Sequence, residues 1–204
     1  MTKRQSKTAG KGAGAGKAGK PAPPRLSHVD AATGEARMVD VGAKPVTARE
    51  AVAAGRILIS REAMELVRAG AIKKGDPLQV ARLAGILGAK QTAALIPLCH
   101  PLPLSGIDVT LTMTAAGIDI EARVRTMAQT GVEMEALTAV AIAGLTVYDM
   151  VKAADKTMRL TDIRLMEKRG GQSGEYLAAD AAVRANNTRA RAKNTRAKGT
   201  APNR

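Results

Sequence analysis

The sequence predicts an α+β protein, with helices packed on one face of a mainly antiparallel sheet. Three patterns carry that prediction. Residues 106–125 alternate apolar and polar side chains on both sides of a glycine turn, as a hairpin with one buried and one wet face requires. Residues 132–154 are apolar almost throughout, as in a long core helix. Two further helical patterns separate the hairpin from an earlier apolar strand, so strands and helices are interspersed.

Taken in order, Met38, Val39 and Val41 follow a Thr33-Gly34 turn and read as a short strand. Residues 51–59 (AVAAGRILI), partly β-branched, read as a second strand. Ser60 offers an N-cap, Glu62 suits the first turn, and Gly70 supplies a stop, so a helix is expected over 61–69. KKGDP at 73–77 is a turn. Leu78, Ala81, Leu83, Ala84, Ile86, Leu87 and Ala94 then recur at helical spacing, and that helix must end before Pro97. Pro97, Pro101 and Pro103 stiffen an irregular loop around Cys99 and His100.

In the hairpin, Ile107, Val109, Leu111 and Met113 alternate with Asp108, Thr110, Thr112 and Thr114. Across Ala115-Ala116-Gly117, Ile118, Ile120, Ala122 and Val124 alternate with Asp119, Glu121, Arg123 and Arg125. After the 132–154 helix, residues 158–168 read as the last strand. The order β-β-α-α-β-β-α-β makes a ferredoxin-like sandwich.

Charge divides the chain of 204 residues into three parts. The formal net charge of +14 comes from residues 1–25 and 181–204, each with seven bases and no acid, while 26–180 is neutral. Both ends lack large apolar residues and are expected to be disordered basic tails, 1–25 and 179–204, flanking a domain at 26–178. The N-terminal stretch has no apolar core of a secretory signal, and no run of about 18 apolar residues suggests a membrane span. A single cysteine, Cys99, excludes an internal disulfide, and with two histidines it excludes a CxxC-type metal cluster. No metal or cofactor is expected, and a cytoplasmic setting fits. Phe and Trp are absent and Tyr stands only at 148 and 176, which argues against a base-stacking platform. Gly14, Gly16 and Gly19 satisfy GxGxxG, but no strand precedes them and no helix follows, so they do not signal a dinucleotide site.

The candidate site is a set of ionisable residues inside apolar blocks: His100 in LIPLCHPLPLSG, and Glu133, Glu135, Asp149 and Lys152 in GVEMEALTAVAIAGLTVYDMVKAADK. Apolar surroundings tolerate such groups when they are paired, hydrated or used. Asp149 and Lys152 are spaced for an i,i+3 ion pair, and both faces of so apolar a helix are expected to be covered. A buried pair would hold the lysine pKa down or the aspartate pKa up, as acid–base work near neutral pH needs. Glu135 and Asp149 share one side of the helix but lie about 21 Å apart along it. Either one of them is structural, or the site is long, or it is assembled between subunits. Lys73 and Lys74 beside Gly75 offer a phosphate contact.

The strings GEARMVDVGAK, KKGDPLQVARLAGILGAKQTAALIPLCHPLPLS, TGVEMEALTAVAIAGLTVYDMVKAADK and IRLMEKRGGQSGEY resemble the MoaC family over about residues 26–178. Its members make cyclic pyranopterin monophosphate during molybdenum cofactor biosynthesis. The resemblance implies a ferredoxin-like subunit in a homohexamer, a trimer of dimers with sites between subunits. It implies a lyase converting 3′,8-cyclo-7,8-dihydro-GTP to that pterin and pyrophosphate. It further implies Asp149, Lys152 and Lys74 as catalytic residues. Leu98, Cys99, His100, Glu133, Met134, Glu135, Lys168 and Arg49 would bind substrate. The sequence leaves two competing expectations: a nucleic-acid-binding protein driven by the tails, and an oligomeric scaffold whose polar cluster only fixes register.

Overall fold

The computed structural model describes residues 29, 33–172 and 174–179. The basic ends expected to be disordered therefore lie outside the described residues, Ala179 excepted. Nine elements follow in order: β1 (Thr47–Leu58), α1 (Arg61–Arg68), α2 (Pro77–Lys90), α3 (Thr92–Leu95), β2 (Leu104–Met113), β3 (Gly117–Ala128), α4 (Glu133–Val151), β4 (Arg159–Arg169) and β5 (Tyr176–Leu177).

The strands form one antiparallel sheet in the order β2-β3-β1-β4-β5. The first four strands have the arrangement of a ferredoxin-like fold, in which β3 separates two strands joined through helices. Pairing of β1 with β3 runs from Thr47 opposite Ala128 to Leu58 opposite Gly117. It therefore takes in the polar residues 47–50, and β1 starts earlier than its apolar run suggests.

The core lies between this sheet and helices α2 and α4. It is built from small and aliphatic residues, among them Ile57, Met64, Ile118, Val124, Val140, Val147 and Val151. Without Phe or Trp to fill volume, and with Tyr148 packed only at its margin, the layers must approach closely. Gly85 and Gly88 of α2 face α4, and a Cβ on Gly88 would sit 2.8 Å from Ile142 Cγ1. On the opposite face of the sheet Val52, Ala54 and Met166 are buried in a smaller cluster. Cross-strand ion pairs stand on the strands there: Arg123–Glu50 at 2.6 Å, Arg56–Asp119 at 2.5 Å and Arg125–Asp108 at 2.6 Å.

Three expectations need correction. Residues 38–41 form no strand: the neighbouring strand β1 is already flanked by β3 and β4, and this stretch is held instead by a side-chain bond from His100 to Val39 O. The helix expected over 78–94 is two, α2 and α3. Thr92 donates its hydroxyl back to Gly88 O at 3.2 Å and Ala89 O at 3.0 Å, which suits the break at Gln91. The long helix is not covered on both faces in the single chain, for Leu145 is 54% exposed and Met134 40%. By length and mean hydropathy alone, 19 residues at 1.4, α4 would also pass as a membrane span; 56% of that stretch is buried, which is how a core helix is used.

Candidate active site

The chemistry collects at the two ends of α4. At its C-terminal end the KKGDP turn brings Lys74 against Asp149. Gly75 adopts φ +96°, which glycine tolerates, and Asp76 caps α2 by accepting from the amides of Leu78 and Gln79. That fixes the base of Lys74, whose ammonium donates to Asp149 Oδ2 at 2.7 Å and to its carbonyl at 3.0 Å. Lys152, one turn beyond, pairs with Asp149 Oδ1 at 2.7 Å. The helix end is moored by Asp155, 7% exposed, which accepts from Ser60 N at 2.8 Å and from the Thr157 amide and hydroxyl at 2.7 Å.

The i,i+3 pair is therefore present, but its electrostatics run opposite to expectation. The Asp149 and Lys152 side chains are 56% and 51% exposed, so desolvation counts for little. Hydrogen bonds from Lys152 and then Lys74 hold the Asp149 carboxyl down at about 2, and Asp149 pushes Lys152 up. A buried pair would have behaved as the sequence suggested; this pair lies on the surface.

At the N-terminal end α4 opens into two adjoining cavities of about 460 and 340 Å³. Arg49, Lys168 and Glu133 line the larger; Leu98, Cys99, His100, Met134 and Glu135 line the smaller; Lys44, Thr130, Gly131 and Glu133 line both. Arg49 is locked by donating to Ala128 O and Gln129 O, each at 2.9 Å. A Cβ at Gly171 would collide with that guanidinium. Lys168 pairs with Glu133 at 3.0 Å, with both side chains sheltered. The proline-bounded loop is pinned where Thr126 donates to Pro103 O at 2.6 Å, and His100 Nε2 donates to Val39 O at 2.8 Å.

Glu135, 4% exposed, is the carboxyl shifted upward among the described residues. Burial, with a contribution from Glu133, pushes it up to about 7. Burial and then the Glu135 charge push the Cys99 thiol up, which makes Cys99 a wall rather than a nucleophile. This end thus combines anchored cations with a carboxyl able to give or take a proton near neutral pH.

One chain brings together Lys74, Asp149 and Lys152 at one end, and Arg49, Leu98, Cys99, His100, Glu133, Met134, Glu135 and Lys168 at the other. It does not unite the two groups. Asp149 lies fourteen positions after Glu135 on α4, about 21 Å along the axis. Sequence reading missed Lys44, whose signal is a base within a glycine-to-proline turn (GAKP). It also missed Asp155, whose signal is the D-x-T spacing that lets a carboxylate accept from the amide two residues on.

The MoaC family model matches residues 38–171, a span holding every candidate catalytic and binding residue from Lys44 to Lys168. A cyclic pyranopterin monophosphate synthase of Chloroflexus aggregans is 58% identical over 160 residues, covering 78% of this chain and 96% of the relative. One from Streptomyces avermitilis is 56% identical over 158 residues, covering 78% and 92%. One from Cereibacter sphaeroides is 58% identical over 156 residues, covering 76% and 98%.

Proposed function

The chain belongs to the MoaC family, and we propose that it makes cyclic pyranopterin monophosphate at a site combining both ends of α4. It is a lyase of molybdenum cofactor biosynthesis working on a GTP-derived substrate. The observation that carries this is 56–58% identity to synthases of that pterin across 92–98% of their lengths. The finer reading takes 3′,8-cyclo-7,8-dihydro-GTP as substrate and pyrophosphate as second product. The working domain is 26–178, in a cytoplasmic setting.

The reaction opens one ring, closes a pterin and cyclises a phosphate, so it needs proton transfers and anchored cations rather than an electron carrier. Asp149 remains ionised and holds Lys74 and Lys152 as an oriented ammonium pair, from which protons can reach ring atoms. Glu135 can both donate and accept near neutral pH. Arg49 and Lys168 face the triphosphate. A substrate hydroxyl attacks the α-phosphorus and passes its proton to a basic group such as the ionised form of Glu135, the bond to the bridging oxygen breaks, and pyrophosphate departs against those cations. Leu98, Cys99, His100 and Met134 wall the pocket.

Because the two ends lie on one straight helix, the reading places the N-terminal end of one copy against the C-terminal end of another, within a homohexamer arranged as a trimer of dimers. Support comes from apolar side chains that the single chain leaves in water: Val80, Leu83 and Leu87 of α2, 43%, 67% and 58% exposed, and Leu145 of α4. The test is incubation of the purified protein with the cyclised nucleotide. Pterin and pyrophosphate should form in equal amounts; formation of neither would refute the reading.

A further inference from the structure

We propose that residues 38–46 form a strap that closes over the anion-binding end of the pocket, and that Lys44 on it is a phosphate-gripping residue of the reaction. The inference rests on the reading that this pocket takes a triphosphate.

The strap has neither helix nor strand, and its Met38 and Val46 are 46% and 58% exposed. Its internal bonds are local: Gly42 N donates to Asp40 Oδ1 at 2.8 Å and Lys44 N to Val41 O at 2.9 Å. Two side chains of the protein body fasten it, His100 to Val39 O at 2.8 Å and Gln129 Nε2 to Gly42 O at 3.2 Å. Such bonds exchange readily for bonds to water, so they hold a segment in place without locking it. Both donors line the pocket, one in each cavity. Whatever occupies the cavities therefore touches the groups that hold the strap.

Lys44 is the one lysine or arginine lining both cavities. The other cations are committed: Arg49 to two backbone carbonyls and Lys168 to Glu133. Lys44 has no carboxylate partner among the described residues, and it rides on a segment without helix or strand that two side-chain bonds tie to the body. A compact ammonium on a flexible stem, carried by a strap, can follow a phosphate chain in and release the pyrophosphate that leaves. Fixed cations alone would retain that product.

The test compares the full chain with Lys44→Met and Lys44→Arg. Lys44→Met should raise KM for the cyclised nucleotide roughly tenfold or more and weaken pyrophosphate inhibition in proportion, with kcat falling less than about threefold. Lys44→Arg should recover most of the KM. Hydrogen exchange across 38–46 should slow when pyrophosphate is added to the unmodified chain, and not in Lys44→Met. Wild-type KM and pyrophosphate affinity in Lys44→Met, or a loss confined to kcat, would overturn the proposal. If the unmodified chain turns over no nucleotide, the reaction assignment fails, while calorimetric binding of pyrophosphate to the unmodified chain and to Lys44→Met still decides the role of Lys44.

Discussion

At its N-terminal end α4 turns two glutamates into walled cavities, and at its C-terminal end it presents an aspartate and a lysine to open surface. The carboxyls have similar intrinsic acidity, yet Glu135 sits at about 7 and Asp149 at about 2. Burial without a cation on its carboxylate raises the first; two ammonium groups in water lower the second. One end is a nearly finished pocket. The other is a set of charges aimed outward, which acquires walls only when another surface covers it.

That contrast is broken most severely at the exposed end. Lys152→Ala should lower turnover about a thousandfold, in the range that removal of a positioned acid or base produces, while circular dichroism and thermal midpoint stay close to wild type. An exposed residue with no catalytic duty would leave both turnover and folding unchanged, and that result would reduce the Asp149–Lys152 pair to a surface ion pair.

The buried end is sharpened by Glu135→Gln. A native pKa of about 7 against an ordinary 4.5 means that the folded state holds its proton more tightly than the unfolded chain. Stability should therefore fall as pH rises from about 4.5 to 7, by on the order of 3 kcal/mol, and level off above that. Glu135→Gln should flatten this slope and exceed the wild type in stability above pH 7 in urea unfolding. Asp149 has the opposite sign, with its contribution present above the ordinary aspartate range and lost as pH falls toward 2. A variant curve parallel to wild type would mean that Glu135 is hydrated.

The smallest effect is expected at Asp155. Asp155→Asn keeps the shape but loses the charge that accepts from Ser60 and Thr157, costing about 1–2 kcal/mol. Its carboxyl is held below the ordinary range chiefly by the Ser60 amide, so the wild-type advantage should disappear as pH drops through that depressed range. A pH-independent difference in thermal midpoint would contradict this.

The sequence made the α+β order, the hairpin, α1 with its Ser60 cap and the residues at both ends of α4 legible, because each is written in local spacing. What it hid depended on neighbours. Residues 38–41 carry a strand-like composition, yet a strand needs a partner strand beside it, and local sequence cannot reveal where the chain will run. The back-bonding of Thr92 that accompanies the break between α2 and α3 is equally invisible in an apolar count. The charge state of Asp149 was misjudged, and that of Glu135 was not foreseen, for one reason: apolar neighbours in sequence do not say which side of a helix emerges into water. Asp149 stands on the exposed side of a last turn whose Met150 and Val151 are buried, and Glu135 points inward from the first turn.

The central claim is that one reaction uses the N-terminal end of α4 from one copy and the C-terminal end from another. Co-assembly of Glu135→Gln chains with Asp149→Asn chains, each inactive alone, tests it most directly. Random mixing should restore about a quarter of wild-type turnover, because that share of sites draws an intact end from each parent. Mixed assemblies as inactive as their parents would contradict it.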